Sequence, residues 1–126
     1  DHGQPPLLIA HSLGCIAVAA WAGPHRRAIA GALLVAPADP ERPDAADVVR
    51  GFGPAPRARL PFPSLVVVAD DDPYVTVERA TGFAAAWGSA LELVAGAGHI
   101  NTASGHGDWP EGLALLRQLA VDRAAR

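Results

Sequence analysis

At 126 residues, half of them hydrophobic and 18% charged, the chain is long enough for one globular domain with a sizeable core. A net charge of −3 offers no basic surface for nucleic acid, and the single cysteine, Cys15, excludes an internal disulfide. No apolar run reaches the ~18 residues of a membrane span, and residues 1–6 lack a signal-peptide pattern, so the expected location is the cytoplasm.

Strand-like and helix-like stretches alternate along the chain. Leu7-Leu8-Ile9-Ala10 reads as a strand, followed by a helix over Leu13 to Ala22 that Gly23-Pro24 stops. Ile29 to Ala36 is a second strand, apolar without a break and so expected to be buried on both faces. Ser64 to Ala69 is a third. A helix over Val77 to Trp87 follows it, with Thr76 as N-cap, Gly88 just past the end, and Val77, Ala80, Phe83, Ala84 and Trp87 on one face. Leu91 to Val94 is the fourth strand, and the last helix starts at Asp108-Trp109-Pro110-Glu111, with Asp as cap and Pro in the first turn. The alternation predicts an α/β fold, a parallel sheet with helical crossovers. Residues 37–63 break the rhythm. They hold seven of the twelve prolines and read as a cap over the sheet's C-terminal edge, with Phe52, Leu60 and Phe62 as pocket-lining candidates.

The chemistry concentrates at three strand ends. Ala10-His11-Ser12-Leu13-Gly14 joins a strand directly to a helix in the pattern of a nucleophile elbow, G-x-S-x-G with Ala at the first position. Ala10 and Gly14 are small, as so sharp a turn requires. The turn would raise the Ser12 hydroxyl above the sheet and aim the Leu13 backbone N–H at a developing oxyanion. A serine hydroxyl needs a neighbouring base, and the base an orienting carboxylate, here expected in the order Ser, acid, His. The third strand ends in Asp70-Asp71-Asp72-Pro73, and the fourth runs through Ala95-Gly96-Ala97-Gly98 to His99. His99 is the candidate base. Asp72 is the first candidate for the acid and Asp71 the second, since Pro73 fixes the turn beyond Asp72. His11, Tyr74 and Asn101 join Phe52 and Phe62 as candidate pocket residues. His106 lies in a Gly-rich loop near the site, His2 and His25 sit in polar loops, and no histidine pair has metal-ligand spacing.

With these residues in view, the sequence resembles the small serine-hydrolase family that includes retinoblastoma-binding protein nine and the bacterial YdeN-type proteins. AHSLGC at 10–15, LPFPSLVVVADDDPYV at 60–75 and AGHINTASGHGDWPEG at 97–112 carry the likeness. The resemblance implies a three-layer α/β-hydrolase-like sheet and carries Ser12, Asp72 and His99 over as the triad. It implies hydrolysis of carboxylic esters or small amides through an acyl-enzyme, with no cofactor and no metal. Family members begin with a strand and a Gly-containing loop that supplies a second oxyanion N–H. Residues 1–126 are therefore expected to be a partial domain lacking that strand and loop, with an association-prone edge at Leu7-Leu8-Ile9. The other reading is a non-catalytic protein-binding module on the same fold, because one relative is named for a protein partner.

Overall fold

The computed structural model of the protein describes residues 4–22 and 28–124, with side chains through 120. The Gly23-Pro24 stop, His2 and His25 lie outside the described residues. β1 (Leu7–His11), β2 (Gly31–Val35), β3 (Ser64–Ala69) and β4 (Ala90–Val94) form one parallel sheet in the order β1-β2-β3-β4. α1 (Leu13–Ala22) and α3 (Val77–Trp87) connect neighbouring strands, and α4 (Pro110–Ala124) follows β4. Every step across the sheet runs in the same direction, so right-handed crossovers put α1 and α3 on one face. α4 returns across the other face, against β2.

The burial pattern follows from this layering. Residues 31–35 of β2 are all buried, as are Val66, Val67 and Val68 of β3, which explains their unbroken apolar sequence. On the α1/α3 face, Ile16, Leu34, Val66, Phe83 and Trp87 form the larger core, with the Phe83 and Trp87 rings stacked 5.3 Å apart. On the α4 face, Leu33, Val35, Val67 and Leu119 form a second cluster. The outer strands are less covered, with Ile9 of β1 63% and Leu93 of β4 52% exposed. In the described sheet β1 is an edge strand.

Helix boundaries follow local chemistry. The Thr76 side chain accepts from the Arg79 N–H at the start of α3, and Gly88 closes it in the left-handed conformation at φ 72°. For α4 the expected cap is displaced by one residue. The Trp109 carbonyl accepts the first helical N–H groups and Pro110 is the first helical residue, so Trp109, not Asp108, occupies the cap position. The strand expected over 29–36 is shorter, because Ala36 turns out of the sheet at φ 50°.

Residues 37–63 divide in two. The first half stays at the C-terminal edge of the sheet and contains the one-turn helix α2 (Asp47–Arg50). The second half descends to the opposite edge, where the Leu60 N–H donates to the Trp87 carbonyl and the Trp87 indole donates to the Pro56 carbonyl. This split corrects the expectation for Leu60 and Phe62, which are buried in the α1/α3 core. They also line a cavity of about 620 Å³ at the N-terminal ends of β3 and β4, at the other edge from Ser12. The pattern of short apolar residues between prolines could not distinguish a cap from a core strap.

Candidate active site

Ser12 stands between the last residue of β1 and the first of α1, at φ 62°. A non-glycine residue there carries local strain, and such strain persists only where surrounding structure enforces it. Here the Ser12 N–H donates to the Val35 carbonyl (3.0 Å) and the Ser12 carbonyl accepts from the Cys15 N–H (3.1 Å), which pins both sides of the residue. A Cβ placed on Gly14 would lie 3.7 Å from that of Ala10, in van der Waals contact, so the turn brings these two small residues side by side. Leu13 opens α1, and its N–H belongs to the first turn, where an α-helix provides no acceptor.

The loops after β3 and β4 meet over this serine. The His99 Nε2 lies 2.9 Å from Ser12 Oγ, and its Nδ1 lies 2.9 and 3.1 Å from the two Asp72 oxygens. The Asp72 side chain is fully buried and that of His99 10% exposed. Asp72 Oδ1 also accepts from the Tyr74 N–H at 2.8 Å, a turn set by Pro73 between them. The three adjacent aspartates have three separate tasks. Asp70 accepts from the Gly96 N–H (2.9 Å), Asp71 from the Gly98 N–H (2.8 Å), and Asp72 alone faces the imidazole. Gly96 and Gly98 adopt φ values of 67° and 60°, which lets the β4 loop fold back so that its amides face the β3 loop.

Two rings hold the imidazole laterally. His11 packs against it at 4.7 Å between centroids and donates from Nε2 to the His99 carbonyl at 2.7 Å. The Tyr74 ring lies 4.5 Å away on another side. Ser12, Leu13 and His99 open onto a cleft of about 280 Å³, which Tyr74 and Asn101 also line. The remaining wall comes from residues 38–49, namely Ala38, Arg42 and Val49. Those three were not singled out from sequence. Arg42 is one of four arginines in the Pro-rich segment, with Arg50, Arg57 and Arg59, so residue type alone does not single it out.

Other expected pocket residues fall elsewhere. Phe52 is 45% exposed beyond α2 and is not part of the cleft wall, and Phe62 is in the core. His11 touches the base from outside the cleft. His106 bonds to the Ser104 hydroxyl at 3.0 Å and stands edge-on to Trp109, beside β4 and α4. Burial pushes the Cys15 thiol far above its ordinary range, and its S–H donates to the Val35 carbonyl at 3.4 Å. Beneath the elbow it is a packing residue. Among the described residues no group of three His, Cys, Asp or Glu side chains converges as a metal site, and no helix is long and apolar enough to cross a membrane.

A parallel sheet covered on both faces, with a strained serine between its first strand and first helix, defines the α/β-hydrolase fold. The chain belongs to the Serine hydrolase family, whose pattern residues 1–118 match. In structure it is similar to a YdeN-like hydrolase from Pectobacterium atrosepticum, with 35% identity and a TM-score of 0.80 over 96% of this chain and 62% of that one. The ydeN gene product of Bacillus subtilis superimposes with a TM-score of 0.72 at 23% identity, over 90% of this chain and 64% of that one. A butyrate-bound thermophilic esterase, Est2 of Thermogutta terrifontis, shares the fold with a TM-score of 0.64 at 20% identity, over 92% of this chain and 55% of that one. The chain thus spans less than two thirds of the length of these relatives. No curated protein sequence matches it.

Proposed function

We propose that the protein is a serine hydrolase of carboxylic esters or small amides, acting through an acyl-enzyme on Ser12. The observation that carries this reading is the continuous line from buried Asp72 through His99 to the strained Ser12 hydroxyl, with each contact between 2.9 and 3.1 Å. In the first step Ser12 Oγ attacks the carbonyl carbon while His99 Nε2 takes its proton. Asp72 holds the Nδ1–H tautomer and stabilises the imidazolium that forms. The Leu13 N–H and the start of α1 face the oxygen that becomes negative. His99 then returns the proton to the leaving alcohol or amine, and water reverses the sequence to release the acid. His11 and Tyr74 keep the imidazole between its two partners without taking part in proton transfer.

The test is labelling of the full-length protein with a fluorophosphonate probe. Ser12 is expected to be the modified residue, and Ser12→Ala to remove both labelling and ester hydrolysis. Labelling at another serine, or an unreactive Ser12 in a folded protein, would overturn the assignment.

A further inference from the structure

Ile100, the residue after the candidate base, has a φ of 49°. A β-branched residue in the left-handed region is a genuine outlier, because its Cβ crowds the following carbonyl. Such strain persists only where the surroundings over-determine it. Gly98, on the other side of His99, also has a positive φ, of 60°, but glycine adopts it without steric cost. The base is therefore bracketed by two left-handed residues, and the strain sits on Ile100.

The surroundings of Ile100 supply the constraint. Its side chain is 5% exposed and belongs to the buried α4-face cluster with Val67, Ala97 and Leu119. Its N–H donates to the Ala97 carbonyl at 3.1 Å, closing a tight turn around Gly98 and His99. The next residue is fixed as well: the Asn101 N–H donates to the Ser104 hydroxyl at 2.9 Å, and Asn101 Oδ1 accepts from the Ser104 N–H at 3.1 Å. The chain thus reverses within one residue, with the Ile100 side chain in the core and the His99 ring between Ser12 and Asp72. Ile100 is not part of the cleft wall.

We propose that Ile100 is a positioning residue for the base: burial of its side chain holds the backbone left-handed, and that conformation sets the imidazole 2.9 Å from both Ser12 and Asp72. The proposal rests on the hydrolase reading above. Glycine would take the same φ freely, so the conformation by itself gives no reason for isoleucine at this place. What isoleucine adds is an anchor, an apolar side chain that leaves water only when the turn is made. Without the anchor the β4 loop opens and the ring drifts, and a misplacement of about 1 Å costs on the order of 10²-fold in rate.

The experiment measures kcat and KM of the full-length protein on p-nitrophenyl acetate, together with the tautomer of His99 from its imidazole nitrogen-15 shifts in mildly alkaline buffer. Ile100→Gly is expected to lower kcat about 10²-fold with KM within about twofold, and to turn the Nδ1–H tautomer into a mixture of the two. Ile100→Val keeps a β-branched anchor and should stay within about threefold of wild type in kcat. Ile100→Ala should lose about tenfold, and is read in place of the glycine variant if that one does not fold. Phe83→Leu, in the α1/α3 core, controls for lost stability: it should lower the melting temperature and leave kcat and tautomer unchanged. An unmoved kcat in folded Ile100→Gly or Ile100→Ala, a loss that appears in KM instead, or an equal loss in Phe83→Leu would overturn the proposal and leave the hydrolase reading standing. If the wild type leaves the ester intact, the nitrogen-15 shifts decide the positioning alone: a tautomer preference lost in Ile100→Gly retains it, and the same tautomer in both proteins removes it. A Ser12 that fluorophosphonate also leaves unmodified would, separately, sink the hydrolase reading.

Discussion

Asp39→Asn tests whether the segment after β2 is held by electrostatics. Asp39 is 3% exposed and accepts from Arg79 Nε at 2.7 Å, Arg79 Nη2 at 2.9 Å and the Glu41 N–H at 2.9 Å. Its own N–H donates to the Tyr74 carbonyl, and the Tyr74 N–H donates to Asp72, so the pair lies one step from the candidate acid. An asparagine keeps the shape but cannot accept from both guanidinium nitrogens and carries no charge. Breaking a buried pair costs about 3–5 kcal/mol when one charge is left alone. Arg79 is 35% exposed and retains Glu41, so about 2 kcal/mol is the expected loss at pH 7. The pH dependence has a definite sign. Burial alone would raise the Asp39 carboxyl, but the Arg79 hydrogen bonds, the Glu41 N–H and the charges of Arg79 and Arg42 outweigh it and hold it below the ordinary carboxylate range. A depressed carboxyl stabilises the fold above its unfolded value of about 3.9, and that contribution is lost as pH falls through the lower folded value. Urea denaturation of wild type and variant at pH 7, 4 and 3 should show the full gap at pH 7 and a shrinking gap below pH 4. A gap under about 0.5 kcal/mol at neutral pH, or one that persists unchanged in acid, would refute the reasoning.

Further expectations concern the site and the edge strand. Asp72→Asn should lower kcat about 10⁴-fold with little change in melting temperature, because the imidazole tautomer is no longer held. Asp71→Asn keeps an acceptor for the Gly98 N–H, so a loss of more than about tenfold by the same ester assay would show that Asp71, not Asp72, serves the base. The Cys15 thiol, buried with its ionisation pushed up by desolvation, should ignore a thiol-reactive chromogenic disulfide in the native protein and react once unfolded in guanidinium. Fast native reaction would mean that the elbow helix opens readily. Residues 1–126 expressed alone should elute as associated species in size-exclusion chromatography, and Ile9→Lys should shift them toward monomer, since a charge beside an open strand edge opposes pairing. A monomeric wild-type fragment would show that the β1 edge is protected.

Elements whose causes are local can be read from the order of residues alone. Thr76 and Gly88 bound α3, β3 runs from Ser64 to Ala69 as its apolar pattern indicates, and the small residues Ala10 and Gly14 lie side by side across the turn at Ser12. The sequence also placed Ser12, the aspartate run and His99 at strand ends, because the order of strands and helices dictates which loops share an edge. Long-range packing sets the remainder. Three consecutive aspartates are alike in sequence, yet they are separated by which partner each meets in the β4 loop: two backbone amides and one imidazole. Whether an aromatic of the Pro-rich segment faces a cleft or a core is likewise not local. Phe62 lies in the α1/α3 core, with Leu60 beside it tied to the Trp87 carbonyl, while Arg42 and Val49 are brought to the cleft as the chain crosses above Ser12. Side-chain chemistry names the groups able to react, but only the approach of distant backbone segments fixes which atoms come within 3 Å of one another.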